Sequence, residues 1–189
     1  MSKVTKIGLR VFGGIAVLVL LFFFVVGPIM KNQTKKHSPE KTVVFNQGDL
    51  TIDVFYCSPA KKDRKIFGEL VPYGEVWRTG ANEATTFSTS IDLTINGQTL
   101  PAGDYTLWTI PNEGAWDVIF NNKMYGWGVT LTMKTQREEE HDALVVNAPV
   151  SKSLVPQENF SITITETDPN TAIMMLAWDD VVVPVKMTH

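Results

Sequence analysis

The sequence predicts an all-β domain, an antiparallel β-sandwich of roughly 8–10 strands, preceded by one N-terminal transmembrane helix. Three observations predict this class. Apolar and polar residues alternate with a period of two through much of residues 42–189, turn-forming residues separate these runs, and the twenty residues from Val11 to Met30 carry no charge. A β-barrel is the alternative arrangement of the same strands.

The uncharged segment from Val11 to Met30 is long enough to cross the hydrocarbon core as a helix, which takes about 20 residues. Basic residues precede it, as in an export signal, but it ends without the small-x-small pattern of a cleavage site. We therefore expect an uncleaved signal anchor. The predicted parts of the chain are a basic tail (1–10), the transmembrane anchor (11–30), a solvated juxtamembrane linker (31–41) and the β domain (42–189).

The charge distribution bears on both location and partners. Basic residues flank the apolar segment on both sides, so the positive-inside rule does not decide its orientation. A basic N-terminus followed by one apolar segment is typical of exported domains, so we expect the β domain on the periplasmic side of a membrane that residues 11–30 cross once.

Residues 42–189 carry ten Lys/Arg against nineteen Asp/Glu. This acidic balance argues against nucleic-acid binding.

The clearest strand prediction covers residues 87–95, where apolar and polar residues alternate strictly. This run continues into Asn96-Gly97, a dipeptide typical of two-residue hairpin turns, and we expect the second hairpin strand over residues 105–110. Pro184 indicates that the last strand lies at an edge or ends there. Further strands are predicted at residues 50–56, 116–120, 160–164 and 181–185, with central strands, apolar on both faces, at 144–150 and 171–178.

The single cysteine and the three histidines offer little catalytic chemistry. Cys57 has no partner for an intramolecular disulfide, and we expect it to be a small buried strand residue. The histidines, His37, His141 and His189, lie far apart and match no zinc-site spacing. The sequence therefore indicates no metal and no cofactor.

Two segments are dense in unusual residues. They are VPYGEVWRTGANEAT at 71–85 and PAGDYTLWTIP at 101–111, which is followed by WDVIFN at 116–121. Together they resemble the bacterial family catalogued as domain of unknown function 2911. The resemblance implies an exported all-β domain of unassigned activity. Family members often have Tyr-Ser-Arg-Pro-Ser where this chain has YCSPA at 56–60, so any role of that arginine is absent here.

Arg78, Asn82 and Glu83 are the first candidates for a ligand site. They place a planar cation, an amide and a carboxylate within six residues beside Gly80, a mixture suited to a polar ligand. The structural alternative is that Asn82 bonds its own turn, while Arg78 and Glu83 pair with each other or with Glu75 to fix the loop.

Aromatic residues give a second candidate, because an aromatic face on a sandwich can stack on a sugar ring. The candidates are Trp77, Trp108 and Trp127. The parity of Trp108, opposite to that of Leu107, and the position of Trp127 allow these two rings to be open to solvent. The alternative is that they belong to the core, as strand aromatics more often do.

Three functions fit these patterns. The first is a non-enzymatic binding or envelope-structural module, and the second is a carbohydrate-binding module. The third is a His-independent or metal-dependent enzyme centred on Arg78, Asn82 and Glu83. The sequence contains no nucleotide loop, metalloprotease motif or nucleophile elbow, which favours the first.

Overall fold

The structure is a computed structural model that describes residues 3–130 and 132–189, with only the backbone described for part of the N-terminal helical segment. The chain divides into two units after His37. The first unit consists of α1 (Lys3–Leu21), a π-helical segment (Phe22–Val26) and α2 (Gly27–His37). Among the described residues, none of these helices combines the length and the apolar composition that a membrane span requires.

The segment predicted as a linker, residues 31–41, is divided between two elements. Residues 31–37 complete α2, and residues 40–41 begin the first strand. Basic side chains occupy the last turn of α2, where they complement the partial negative charge of the terminal carbonyl groups. The polar composition of residues 31–37 is therefore compatible with a helix.

The second unit is an all-β domain, as predicted. Its strands are β1 (Glu40–Gln47), β2 (Leu50–Cys57), β3 (Thr86–Thr89), β4 (Leu93–Ile95), β5 (Gln98–Leu100), β6 (Gly103–Ile110), β7 (Ala115–Asn121), β8 (Asp142–Pro149), β9 (Ser151–Asp168) and β10 (Thr171–Thr188). A six-stranded sheet has the order β1-β2-β3-β6-β7-β8, and a four-stranded sheet has the order β5-β4-β10-β9. Neighbouring strands are antiparallel throughout. Within the described ranges the two sheets share no strand, which is the arrangement of a sandwich.

The core lies between the sheets and is built from one face of each strand. In β2, for example, Leu50, Ile52 and Val54 are fully buried, whereas Thr51 and Asp53 are exposed. A cluster of aromatic rings packs at one end of this core. Its members are Tyr56, Phe67, Trp77, Trp116, Phe160 and Trp178.

The single strand predicted over residues 87–95 is wrong. The chain leaves the six-stranded sheet after Thr89 and enters the four-stranded sheet at Leu93. A polar contact stabilises the crossing, since Ser90 Oγ donates a hydrogen bond to the carbonyl oxygen of Asp49 at 3.0 Å. Alternation continues through the crossing, so the sequence period does not reveal it.

The turn at Asn96-Gly97 is confirmed, but its second strand is corrected. The φ angles of Asn96 and Gly97 are 50° and 74°, and positive values at both central residues are what a two-residue hairpin turn needs. The strand that follows is β5, which pairs with β4. The segment predicted as the partner, residues 105–110, belongs to β6 and pairs with β3 and β7.

The two strands predicted as central have different outcomes, since only the second is central. Residues 144–150 fall mainly in β8, an edge strand whose Val145 is 43% exposed. Residues 171–178 belong to the central strand β10, which continues to Thr188 without turning. Asp179, with φ 53°, lies at register shifts that mark a bulge. The predicted strand at residues 181–185 is therefore part of β10.

Pro184 is accommodated inside this long strand. It falls between Val182, the last β10 residue paired with β9, and Met187, the first paired with β4. A residue without an N–H is tolerated at such a position because no ladder bond is interrupted.

Candidate functional site

The candidate residues around Arg78 lie on the outer face of the six-stranded sheet. In β6, Leu107 belongs to the core between the sheets, so the adjacent Trp108 faces the opposite side. Two loops cover that side, and the N–H of Ala84 in one donates to the carbonyl oxygen of Gly126 in the other at 3.1 Å. A Cβ at Gly128 would lie within 4 Å of Ala84, Arg78 and the Trp108 ring, so the two loops meet over Trp108.

Arg78 is held by Trp127 in two ways. Its Nη1 donates to the carbonyl oxygen of Trp127 at 3.0 Å, and its Cζ lies 5.8 Å from the centroid of the indole ring, within the range of a cation–π contact. Burial lowers the pKa of Arg78, while the carboxylate of Glu83 opposes that shift. The guanidinium stays protonated at neutral pH. Trp127 is 39% exposed, so part of its ring is open to a ligand.

Glu83 contacts the single cysteine, a pairing that the sequence did not suggest. Cys57 is fully buried, as predicted, and its Sγ donates to Glu83 Oε2 at 3.4 Å. Burial, this hydrogen bond and the negative charge of Glu83 raise the pKa of Cys57 to about 11. Because the thiolate is the reactive form of cysteine, this thiol is inert at neutral pH.

Asn82 has a structural contact instead of a bond to its own turn. It is buried, and its Nδ2 donates to the carbonyl oxygen of Ser38 at 3.3 Å. Its φ is 56°, and that of Thr79 is 55°. A left-handed conformation is unusual for a β-branched residue such as Thr79, and Thr79 is held there by contacts that include the hydrogen bond from Thr85 Oγ1 to its carbonyl oxygen.

Of the other two tryptophan candidates, Trp77 is partly buried and Trp108 is buried. Trp77 packs in the aromatic cluster between the sheets, and its Nε1 donates to the carbonyl oxygen of Gly80 at 3.0 Å. Trp108 is fully buried, which excludes the alternative that it is open to solvent. A Cβ built at Gly128 would lie 3.1 Å from the Trp108 ring. Within the described part of the chain, the Nε1 of Trp108 has no hydrogen-bond partner.

A group of possible metal ligands lies elsewhere, before β8. The ligand atoms of Glu138, Glu140 and His141 are within 4.8 Å of one another. Lys123 forms an ion pair with Glu138, and this interaction lowers the pKa of Glu138. Glu138 is therefore already paired with the ammonium group of Lys123, which would compete with a metal ion.

The structure thus brings Arg78, Glu83 and Trp127 to one surface, and it places Asn82 in the supporting loop. Trp77 and Trp108 lie beneath that surface or in the core. Cys57 is the residue that sequence reasoning missed at this site. Cys57 follows Tyr56, which faces the core, so its side chain lies on the outer face of β2. The alternation of residues in the sequence does not indicate that Glu83 contacts it.

Comparison with known proteins gives one match. A family model described as "Protein of unknown function (DUF2911)" matches residues 38–187, which include the Arg78 loop and all the strands except the last residue of β10. No curated protein and no solved structure matches the chain. The chain therefore belongs to the DUF2911 family.

Proposed function

We propose that this chain is a single-pass, membrane-anchored domain on the periplasmic side that binds a polar ligand without catalysing a reaction. The observation that carries the binding role is the arrangement of Arg78 against Trp127, with Glu83 nearby. We call these three residues the Arg78 surface. An envelope-structural role would use the same surface to contact another envelope component.

The Arg78 surface is suited to binding because its main donor is already fixed. The contact with Trp127 uses Nη1 of Arg78, and the opposite edge of a guanidinium presents parallel N–H donors to paired oxygens of a ligand. Glu83 lies beneath this surface, since its Oε2 accepts from Cys57 and its Oε1 is buried, and its negative charge favours the protonated guanidinium of Arg78. A fixed side chain loses little entropy when the ligand binds, which favours affinity.

The chemistry of Cys57 argues against a thiol nucleophile at this surface. It is the nearest thiol, and with a pKa of about 11 it is almost entirely protonated at neutral pH. An enzyme centred on Arg78, Asn82 and Glu83 is the third candidate. Reproducible turnover by the purified chain that disappears in Glu83→Ala would establish that candidate and refute the binding role.

Carbohydrate binding is the second candidate, and the partly exposed ring of Trp127 favours it. An indole face packs against the C–H groups of a sugar ring. The adjacent guanidinium of Arg78 would then bond the hydroxyl groups at the edge of the same sugar.

Binding at the Arg78 surface can be tested with the full chain in lipid nanodiscs and an array of neutral and acidic oligosaccharides. We expect Arg78→Gln to weaken binding by about tenfold or more, since a hydrogen bond to a charged group contributes about 1.5–3 kcal/mol. Trp127→Ala should weaken the binding of a sugar by a similar factor. Lys65→Gln removes the same charge from an exposed side chain and should leave binding unchanged. Equal losses in Arg78→Gln and Lys65→Gln would refute the Arg78 surface as the site.

The proposed anchor is supported by the uncharged segment and by its side chains. Three helical segments follow one another from Lys3 to His37. Many large apolar side chains in this stretch are exposed, and lipid would cover such a surface. The exposed apolar residues are Phe12, Ile15, Val17, Leu18, Val19, Leu20, Leu21, Phe22, Phe24 and Val25.

A reporter fusion tests the location. Alkaline phosphatase joined after His189 should be active, because this enzyme matures only outside the cytoplasm. The double variant Leu18→Arg, Leu20→Arg should abolish that activity, since each charge costs about 2.5–3.5 kcal/mol at the centre of a membrane helix. Leu154→Arg, at an exposed position of the β domain, is the control and should leave activity unchanged. Activity only from a cytoplasmic reporter would refute the proposed orientation.

A further inference from the structure

Two adjacent apolar side chains of β9 extend into solvent. Leu154 is fully exposed, at 101%, and Val155 is 70% exposed, the two highest values for large apolar side chains in the described part of the β domain. Pro156, which follows them, is also exposed. Single exposed apolar residues are ordinary, but adjacent ones that protrude from a folded domain point to a contact with a partner or a membrane.

These residues belong to a bulge of β9, residues 153–156, which we call the β9 bulge. Lys152 pairs with Val181 of β10, and Gln157 pairs with Asp179, so β9 uses four residues where β10 uses one. The surplus residues cannot follow the ladder and bend away from it. The bulge therefore presents its apolar side chains as a convex tip.

The β9 bulge is held in shape by local bonds. Ser153 Oγ donates to the carbonyl oxygen of Val155 at 2.8 Å and accepts from the Val155 N–H at 3.3 Å. Pro156 follows, and its ring fixes its own φ angle. The tip is therefore ordered before it meets a partner, which lowers the entropy that is lost on contact.

Two ion pairs flank the β9 bulge. Lys152 Nζ lies 2.7 Å from Asp180 Oδ2, and Lys61 forms an ion pair with Asp179. Each pair has no net charge, and the bulge itself contains no charged residue. When the tip approaches an apolar phase, no unpaired charge at the tip has to lose its water.

The β9 bulge lies on the side of the β domain where the chain enters it. Pro39 and Lys41, at the start of β1, line the same cleft as residues 157–161, which follow the bulge directly. Residues 31–37 connect the proposed anchor to this domain, and even fully extended they span at most about 25 Å. The entry side of the domain therefore stays close to the membrane that the proposed anchor crosses.

A protein partner fits the β9 bulge less well than a lipid surface. A partner that adds a strand needs a regular backbone edge, and the bulge interrupts the edge strand β9 at this point. A stable protein interface buries about 800 Å² on each partner, far more than two side chains provide. A lipid surface has no fixed shape and can cover a small convex tip.

We propose that the β9 bulge inserts into the surface of the membrane that the proposed anchor crosses, with Leu154 and Val155 in contact with lipid. The proposal rests on the proposed anchor, but it does not require the Arg78 surface to bind anything. The anchor keeps the tip near the bilayer at a high effective concentration. Burial of two apolar side chains is therefore enough to hold the domain against the membrane and to fix which of its faces is turned towards solvent.

Spin labelling of the full chain in phosphatidylcholine nanodiscs tests this contact. Cys57 is fully buried, so a nitroxide reagent attaches at position 154 of the variant Leu154→Cys. We expect this label to collide more often with oxygen, which concentrates in lipid, than with a water-soluble nickel complex. The same label in Gln98→Cys, at an exposed position of β5 on the opposite edge of the same sheet, should show the reverse.

A charged variant gives the second measurement. Val155→Asp, in the chain labelled at position 154, should lower the oxygen-to-nickel collision ratio to the value found at position 98, because a carboxylate is costly to place in lipid. Val145→Asp, at an exposed position of β8, is the matched control and should leave the ratio unchanged.

The outcomes separate the β9 bulge from the anchor. Equal collision ratios at positions 154 and 98, or a ratio that Val155→Asp leaves unchanged, would refute the insertion while leaving the anchor intact. A chain that does not stay bound to the nanodiscs would refute the anchor and the insertion together.

Discussion

Replacing Asp142 by alanine is expected to lower the free energy of unfolding by about 3–5 kcal/mol, the cost of leaving a buried partner charge without its counter-ion. Asp142 pairs with Arg137 through Nη2, and Nε of Arg137 lies 3.2 Å from Asp142 Oδ1. The two side chains are only 11% and 8% exposed. Asn121 Nδ2 also donates to Asp142 Oδ1 at 2.8 Å, so the variant loses a second bond.

The same arginine provides the control. Arg137 Nη1 lies 3.4 Å from Glu139 Oε1, but the Glu139 side chain is 82% exposed, and exposed ion pairs contribute about 0–1 kcal/mol. Urea unfolding of the full chain in detergent, followed by tryptophan fluorescence at neutral pH, would compare the two variants. Equal destabilisation by Asp142→Ala and Glu139→Ala would contradict the assignment of Asp142 as the buried partner.

Replacing Gly80 by alanine is expected to cost about 2–4 kcal/mol and to displace the Arg78 loop. The φ of Gly80 is 153°, and an added Cβ would lie 2.9 Å from the carbonyl oxygen of Cys57 and 3.2 Å from Thr85 Oγ1. The first of these atoms belongs to the backbone of β2, so the loop must move. Strain at a disfavoured φ costs about 1–3 kcal/mol, and overpacking adds a similar amount.

Gly114→Ala is the matched control for this substitution. Gly114 lies in the turn before β7, and an added Cβ there would meet nothing within 4 Å. This variant should unfold at nearly the same urea concentration as the parent chain. In the NMR spectrum of the chain labelled with ¹⁵N-tryptophan, the Trp127 indole peak should move in Gly80→Ala because Trp127 holds the displaced Arg78. An unchanged midpoint of unfolding together with an unchanged Trp127 peak would contradict the tight packing of Gly80.

The sequence was sufficient to predict the all-β class because alternation and turn residues are local signals. It also located the turn at Asn96-Gly97, whose backbone conformation depends on those two residues alone. The sequence did not predict which sheet each strand belongs to. Residues 87–95 alternate without a break while the chain passes from β3 to β4, because both strands bury the same parity against one core.

The site was predictable only in part for a related reason. Arg78 and Glu83 are close in sequence, so a shared loop was a sound expectation. Trp108 faces away from the core, as its parity implies, yet loop residues such as Gly128 pack against it. Contacts made by loops depend on the path of the chain and leave no period in the sequence. The pairing of Glu83 with Cys57 was missed for the same reason.

The position of β10 has a consequence for how the domain folds. The β4–β5 hairpin pairs with this sheet through Ile95 and Met187, which are distant in sequence. Such a short hairpin has little stability alone, and contacts between distant residues slow folding. Until β10 is in place, one side of the core stays open to water. We therefore expect the pairing of β10 with β4 to form late in folding, after the strands joined by local turns have paired.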